Sequence, residues 1–318
     1  MKVWISKNRQ TLLRGMGSLL AFGLLAFLIA KNWNAIILAI RQIPFWRFLL
    51  ATALIFISRF FVIGRWHLLL RTAKLSISFA RTSALTFTGL FLNNFLPTTI
   101  GGDVVRFAGA VAMGYDSSIV LASLVADRLV GMAGMATVLP FGLIPLWSWR
   151  VGNATQSISM AILWRKFWGF VVRTFQSLTI WLKKPSSLLG AYGLTWGHLL
   201  CYFGAISILL KGLNSPIAFW TIAGLLSINY FLTQIPISIN GYGVQELALT
   251  YLFVNFAGIG IPNAIALALL HRVVFMIASL PGAFYLPPVL ASIDMAKTAS
   301  TTSMATEEIA ANTQEHSS

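Results

Sequence analysis

The sequence has few charged residues and very few acidic ones. Only 10% of its 318 residues are charged, with 8 Asp+Glu against 23 Lys+Arg, whereas 57% are hydrophobic and the mean hydropathy is +0.79. Soluble domains contain about one quarter charged residues, so this composition excludes a water-soluble domain and indicates an integral membrane protein. The net charge of +15 is then expected in loops that contact anionic headgroups, and we expect no nucleic-acid partner.

Cysteine is nearly absent, and common catalytic motifs are missing. The single cysteine, Cys201, excludes an intramolecular disulfide and a multi-cysteine metal cluster. The sequence contains no Walker A lysine loop, no G-x-S-x-G and no H-E-x-x-H. We therefore predict a protein that is not an enzyme and that uses no cofactor or metal. Any transport is expected to be passive or driven by a gradient.

Apolar runs that approach the length of a membrane span occur seven times. A helix needs about 20 apolar residues to cross a bilayer. The runs cover residues 15–30, 43–64, 79–96, 117–147, 187–210, 216–235 and 264–286. The composition and these runs predict an all-α polytopic integral membrane protein with about seven transmembrane helices.

Two apolar regions, the first of these runs and one further segment, differ from the remaining spans. The run 15–30 follows four basic residues and lacks a small-residue cleavage site before Lys31, which predicts an uncleaved anchor rather than a signal peptide. Residues 158–182 are apolar but carry basic residues, of which Lys166 and Arg173 lie two helical turns apart on one face. We interpret this segment as an amphipathic helix in the membrane interface.

Proline, glycine and asparagine interrupt two other segments, 97–115 and 236–258. These segments are too broken for simple spans and too apolar for exposed loops. Irregular backbone at membrane depth is tolerated only where protein buries it or where it lines a water-filled cavity. The sequence therefore predicts two re-entrant helical hairpins.

The two broken segments match each other at an offset of 139 residues. Pro97, Gly101, Gly102 and Val105 align with Pro236, Asn240, Gly241 and Val244. An ionisable pair follows in the next span of each copy, Asp127-Arg128 in the first and His271-Arg272 in the second. This pattern indicates an internal duplication, with repeat elements at about 79–148 and 216–288 of a single membrane domain, 1–290. Residues 291–318 are polar and low in complexity, and we expect a disordered tail.

The distribution of Lys and Arg predicts the orientation. With a cytoplasmic N-terminus, fourteen basic residues fall in inner loops: Lys2, Lys7, Arg9, Arg14, Arg65, Arg71, Lys74, Arg81, Arg150, Arg165, Lys166, Arg173, Lys183 and Lys184. Five fall outside: Lys31, Arg41, Arg47, Lys211 and Lys297. By the positive-inside rule, the first hairpin then enters from the outer side, the second enters from the inner side, and the tail ends outside.

The hairpin residues carry a resemblance to a known family. Asn94 to Arg106, the later Arg128, and Pro236 to Glu246 with Arg272 resemble the flippase-like family named after the transmembrane region of lysylphosphatidylglycerol synthase. The likeness covers about residues 10–290. At Asp103 the family more often has Glu, so the charge is kept with a shorter reach.

The resemblance implies movement of a lipid, either a phospholipid or a lipid-linked sugar, between leaflets of the plasma (inner) membrane. Members that make aminoacylated lipid carry a large soluble transferase domain after the membrane part, whereas a polar tail follows here, so synthase activity is not expected. The alternative is a non-transporting membrane partner of a glycosyltransferase or envelope-lipid enzyme. A membrane-embedded transferase is the third possibility.

Two readings remain open for the charged residues. Arg128 and Arg272 lie within spans, where they either bind a lipid phosphate or form ion pairs. Asp127 and Glu246 supply partners across helices, because adjacent positions such as 127 and 128 do not face each other. His271 either relays protons or is simply hydrogen-bonded.

The hairpin glycines also have two readings, because they expose backbone N–H groups to an anionic headgroup or allow close helix packing. The predicted substrate-binding residues are Asn94, Pro97, Gly101, Gly102, Arg106, Arg128, Pro236, Ser238, Asn240, Gly241, Glu246 and Arg272. The predicted supporting residues are Asp103, Asp127 and His271.

Overall fold

The computed structural model describes residues 23–96, 101–151, 185–234 and 241–291, without the side chains of 144–151. In these ranges the regular structure is helical and no strand occurs, which confirms the predicted all-α class. The helices are α1 Gly23–Lys31, α2 Trp33–Arg41, α3 Phe45–Thr72, α4 Phe79–Leu92, α5 Gly101–Ala112, α6 Ser117–Val151, α7 Pro185–Gly212, α8 Phe219–Thr233, α9 Val244–Ala257, α10 Ile261–Ser279 and α11 281–291.

Several predictions fall outside the described residues. They are the beginning of the anchor at 15–22, Pro97, the interfacial helix at 158–182, Pro236, Ser238, Asn240 and the tail from residue 292.

Four described helices are long and apolar enough to cross a membrane: α3, α6, α7 and α10. The pair α1 and α2, bent by 76° at its break, makes a fifth candidate. The runs 79–96 and 216–235 were predicted to cross, but α4 and α8 have only 14 and 15 residues. At 1.5 Å per residue each is about 22 Å long, short of the roughly 30 Å hydrocarbon layer. The protein is thus polytopic, with fewer described spans than the seven predicted.

The first hairpin consists of α4 and α5, which run antiparallel. Gly89 packs on Gly102 near the tip, and Leu85 packs on Gly109 farther from it. The Tyr115 hydroxyl donates to the Ser76 carbonyl, so the hairpin begins and ends at the same end of the bundle. We call this end, around residues 73–78, the first end, and the opposite one, around residues 213–218, the second end.

This arrangement corrects the predicted topology. The prediction made 79–96 a crossing and put the opening of the first hairpin on the side away from Lys74. In the structure α4 is too short to cross and α5 returns beside it, so the hairpin opens at the first end, next to Arg71, Lys74 and Arg81. The second hairpin, α8 and α9, opens at the second end, where Asn263 at the start of α10 donates to the Leu213 carbonyl.

The same order of elements occurs twice. α3 and α7 both have 28 residues and begin 140 residues apart. Each is followed by a turn containing a residue with positive φ, Lys74 at 64° and Asn214 at 52°, again 140 residues apart. Two short helices and a long one follow in both halves. The recurrence thus begins at α3, earlier than the predicted repeat elements.

The second set of elements is inverted relative to the first. The equivalent helices α3 and α7 pack antiparallel, with Gly64 against Leu194 and Leu54 against Gly204. The midpoint of this contact lies at Arg59 and Leu199, which are equivalent positions. An antiparallel contact between equivalent helices places a pseudo-two-fold axis in the membrane plane, as in inverted-repeat transporters.

The last described helix, α11, runs towards the first end. Gly282 at the start of α11 packs on the Phe87 backbone of α4, and Val289 packs beside Gly109 of α5. Residue 291 therefore lies at the same end as Lys74. The tail, which the sequence predicted to end outside, follows residue 291 and lies beyond the described residues.

Candidate functional site: two cavities beside the hairpins

A polar cavity of about 290 Å³ lies between α3, α4, α5, α6 and α8. We call it the first cavity. Its walls contain three arginines, two aspartates and several amide and hydroxyl groups. The lining residues are Val62, Arg65, Thr86, Gly89, Leu90, Asn93, Gly102, Asp103, Arg106, Asp127, Arg128, Gly131, Tyr230 and Gln234.

Asp127 holds two of these arginines. Its Oδ1 accepts from Arg65 Nε at 2.7 Å and its Oδ2 accepts from both terminal nitrogens of Arg106 at 3.3 Å. Arg65 also donates to the Thr195 hydroxyl at 3.1 Å. All three charged residues are buried, which a membrane protein tolerates because each charge is paired.

Arg65 corrects one part of the sequence interpretation. It was counted among the inner-loop residues, but it lies inside α3, which continues to Thr72. The signal was present, because Trp66, Leu69 and Leu70 continue the apolar pattern at helical spacing and are buried. The sequence offered Asp127 as an ion-pair partner for the arginines of the spans. In the structure it pairs with Arg65 and Arg106 rather than with its neighbour Arg128.

Asp103 pairs with Arg128 instead. Its Oδ1 accepts from Arg106 at 3.0 Å, and its Oδ2 accepts from Arg128 Nε. The Arg128 side chain keeps 33% of its surface exposed, far more than Arg65 or Arg106. Among the three arginines of the first cavity, Arg128 is therefore the most accessible.

The second cavity, of about 120 Å³, is lined by Asn93, Asn94, Gln245, His271, Arg272 and Phe275. Arg272 pairs with Glu246 at 2.5 Å, one of the two carboxylates that the sequence offered as partners for the arginines of the spans, and its guanidinium lies 4.1 Å from the centre of the Tyr242 ring. Glu246 also accepts from the Gly243 N–H at 2.9 Å, at the start of α9. Each hairpin is thus tied to the span that follows it by an ion pair, Asp103 to Arg128 and Glu246 to Arg272.

The hairpins meet where their helices break. The Tyr242 hydroxyl, before α9, donates to the Asn94 carbonyl, after α4. The Asn94 side chain donates to the Ser279 hydroxyl of α10 at 2.8 Å. Asn93 lines both cavities, so the two cavities adjoin at the tip of the first hairpin.

The hairpin glycines have different roles. A Cβ on Gly102 would lie 2.6 Å from the Gly89 carbonyl oxygen, and a Cβ on Gly101 would lie 2.7 Å from Leu96. The Gly102 N–H donates to the Asn93 side-chain oxygen at 3.3 Å and is therefore not free to bind a headgroup. These two are packing glycines. A Cβ on Gly241 would make only an ordinary contact with the Gln245 side chain at 3.8 Å, and the φ of Gly241 is +73°, so this glycine serves the turn.

His271 is hydrogen-bonded. Its Nε2 lies 3.0 Å from the Tyr202 hydroxyl of α7, and its ring packs 4.4 Å from that of Phe275. Tyr202 and Tyr230 were not singled out from the sequence, because an isolated tyrosine in an apolar run carries no spacing signal.

Positive charge exceeds negative charge around the cavities. Four acidic residues precede residue 292: Asp103, Asp116, Asp127 and Glu246. Asp116 caps α6 by accepting from the Ile119 N–H, which leaves three carboxylates for the interior. Five arginines are buried or line the cavities: Arg59, Arg65, Arg106, Arg128 and Arg272.

Comparison with known proteins agrees with this architecture. The family described as the lysylphosphatidylglycerol synthase TM region matches residues 16–175 and 160–282. A "UPF0104 membrane protein" of Methanothermobacter thermautotrophicus is 23% identical over 223 residues, 68% of this chain. The chain covers 63% of the length of that relative. Because the family matches cover most of the sequence, the chain belongs to the lysylphosphatidylglycerol synthase transmembrane-region family.

Proposed function

We propose that the protein moves lipids with an anionic headgroup between the two leaflets of the membrane. The observation that carries the proposal is the first cavity, a polar space between two candidate membrane spans and the short hairpin helices, in which three arginines face two aspartates. An unbalanced charge in the membrane interior is costly unless a ligand compensates it. A phosphate group is a good partner, because the planar guanidinium binds its oxygens in a bidentate fashion.

Arg128 is the residue that we expect to contact the phosphate first. Its side chain is the most exposed of the three, and its carboxylate partner is shared. If a phosphate replaces Asp103 at Arg128, Asp103 keeps its hydrogen bond to Arg106 at 3.0 Å. Binding therefore leaves no carboxylate unpaired, which would otherwise oppose it.

The size of the cavity suits a headgroup rather than a whole lipid. Its volume of about 290 Å³ is at the lower end of the roughly 300–1,000 Å³ range of small-molecule sites. We propose that the acyl chains stay in the bilayer while the headgroup passes between the inverted hairpins. No catalytic step is part of this proposal.

The proposed location is the plasma membrane, with the first end on the cytoplasmic side. Arg71, Lys74 and Arg81 lie at that end, where the positive-inside rule favours them. The last described residue, 291, then also lies on the cytoplasmic side.

The test is lipid translocation in vesicles. The purified chain is reconstituted into phosphatidylcholine vesicles with a trace of fluorescent phosphatidylglycerol, and a membrane-impermeant quencher reports how much label reaches the outer leaflet. We expect fast exchange with the wild type and roughly ten-fold slower exchange with Arg128→Gln, because a charge-assisted hydrogen bond is lost.

The control is Arg71→Gln, which removes an exposed arginine of α3 outside both cavities. It should exchange lipid like the wild type. If the wild type exchanges no more lipid than protein-free vesicles, the translocation proposal is wrong, and a non-transporting partner of a glycosyltransferase or lipid-modifying enzyme becomes the better reading.

A further inference from the structure

Arg59 is a buried cation that is not among the lining residues of the first cavity. It lies in the middle of α3, at the centre of the antiparallel contact with α7, and only 7% of its surface is exposed. Among the described residues no carboxylate lies within ion-pair distance of it, and its buried Nε has no hydrogen-bond acceptor. Its guanidinium stacks 4.5 Å from the centre of the Phe275 ring.

The acidic residues of the chain leave Arg59 without a partner before residue 292. Asp103, Asp127 and Glu246 are each bonded to other arginines, and Asp116 caps α6 at the first end. A cation–π contact with a phenylalanine compensates only part of the cost of burying a full charge. A purely structural role does not explain an unpaired arginine at this position, since an apolar residue would pack there without that cost.

Arg59 also lies between the two cavities. Val62, about one turn further along α3, lines the first cavity. Phe275, on which the guanidinium stacks, lines the second cavity together with His271. The two cavities adjoin at Asn93, which lines both.

We infer that Arg59 binds the phosphate of the headgroup midway between the two cavities. This inference rests on the proposed translocation and names a further residue of the same path. The phosphate leaves Arg128 in the first cavity, contacts Arg59 after the Phe275 ring turns away, and continues to Arg272 in the second cavity. The chemistry recognised is an oxyanion with at least two free oxygens, which a lipid phosphodiester and free phosphate share.

The first experiment measures stability and translocation together. Arg59→Met keeps a long unbranched side chain and removes the charge. We expect its Tm in detergent, without added lipid, to equal or exceed the wild-type value, because a desolvation cost is removed. We expect its translocation of fluorescent phosphatidylglycerol to be slower by roughly ten-fold or more, with Arg59→Lys in between.

Arg71→Met is the matched control, since it makes the same substitution at an exposed position of the same helix. It should change neither measurement. A Tm of Arg59→Met clearly below that of Arg71→Met, or failure of Arg59→Met to fold, would assign Arg59 a structural role and overturn the inference. Translocation by Arg59→Met at the wild-type rate would overturn it as well.

A binding measurement separates this inference from the translocation proposal. Phosphatidylglycerol added in detergent should raise the Tm of the wild type more than that of Arg59→Met, even if the wild type moves no lipid. Inorganic phosphate in the same assay distinguishes a free anion from a headgroup, and we expect it to have little effect. An equal rise with phosphatidylglycerol in both proteins would overturn the inference while leaving the translocation proposal intact.

Discussion

The two inverted halves share one scaffold but differ in the charge they carry. The first half surrounds its cavity with Arg65, Arg106, Arg128, Asp103 and Asp127. The second half keeps only the pair of Arg272 with Glu246 beside a cavity less than half as large. Both halves therefore retain the ion pair that ties the hairpin to the following span, and only the first adds a second layer of charge.

Equivalent positions locate this difference. Counted from the first residue of each pair of matching helices, Asp127 corresponds to His271, Arg106 to Leu249, and Arg65 to Ala205, whereas the 139-residue offset of the sequence match places Gln245 opposite Arg106. Asp127 and its two arginine partners are thus present together in the first half and have uncharged counterparts in the second. The ion pair between a hairpin and the following span is thus common to both halves, whereas the proposed headgroup site lies where the first half adds the extra charges.

The largest expected difference in destabilisation is between variants of the equivalent residues Asp127 and His271. Asp127→Asn leaves two buried arginines short of a carboxylate, and we expect it to destabilise the protein by about 3–5 kcal/mol. His271→Asn loses one hydrogen bond to Tyr202 and should cost about 1 kcal/mol. Thermal unfolding in detergent measures both. Equal destabilisation of the two variants would contradict the division of roles between the halves.

Substitutions of the hairpin glycines Gly102 and Gly241 should differ less in the destabilisation they cause. Gly102→Asn forces a side chain against the Gly89 carbonyl, and we expect destabilisation of about 3 kcal/mol. Gly241→Asn should cost less than about 1 kcal/mol, because asparagine tolerates positive φ and its Cβ would make only an ordinary contact with Gln245. The same unfolding assay applies. If Gly102→Asn is as stable as the wild type, α4 and α5 do not pack closely at Gly102.

Much of this comparison could be predicted from sequence, but the path of the chain could not. The all-α membrane class and the two broken regions follow from composition and helix breakers, whereas the sequence left open which carboxylate pairs with Arg272. The sequence did not reveal that α4 is one arm of a hairpin, because the apolar run continues four residues beyond the helix, through the turn at 93–96. Hydropathy measures the length of an apolar run and does not show where a helix turns back.

The partners of the charged residues were equally difficult to predict. Asp127 and Arg128 are neighbours in sequence, yet they point to different partners because adjacent helical residues do not face each other. Arg65 was misplaced because it follows a run already long enough to cross the membrane. The apolar residues Trp66, Leu69 and Leu70 after it were the signal that the buried helix continues, whereas its carboxylate partner is identified only from the structure.

Cysteine labelling tests the inversion with the smallest disturbance to the protein. In a Cys201→Ala background, single cysteines replace Lys74, Asp116 and Asn214. An impermeant thiol reagent should reach Lys74→Cys and Asp116→Cys from one side of the membrane and Asn214→Cys from the other, because the first hairpin begins and ends at the first end. If positions 74 and 116 label from opposite sides, α4 crosses the membrane and the inverted arrangement is wrong.

Removing one cavity arginine from each half tests whether the headgroup site lies in the first cavity. Translocation of fluorescent phosphatidylglycerol is compared for Arg128→Gln and Arg272→Gln in the same vesicles, with Arg71→Gln as the control. We expect a roughly ten-fold or larger loss of translocation rate for Arg128→Gln and a smaller loss for Arg272→Gln, because the first cavity has the excess of positive charge. Wild-type translocation by Arg128→Gln, with or without a loss in Arg272→Gln, would contradict the assignment of the headgroup site to the first cavity.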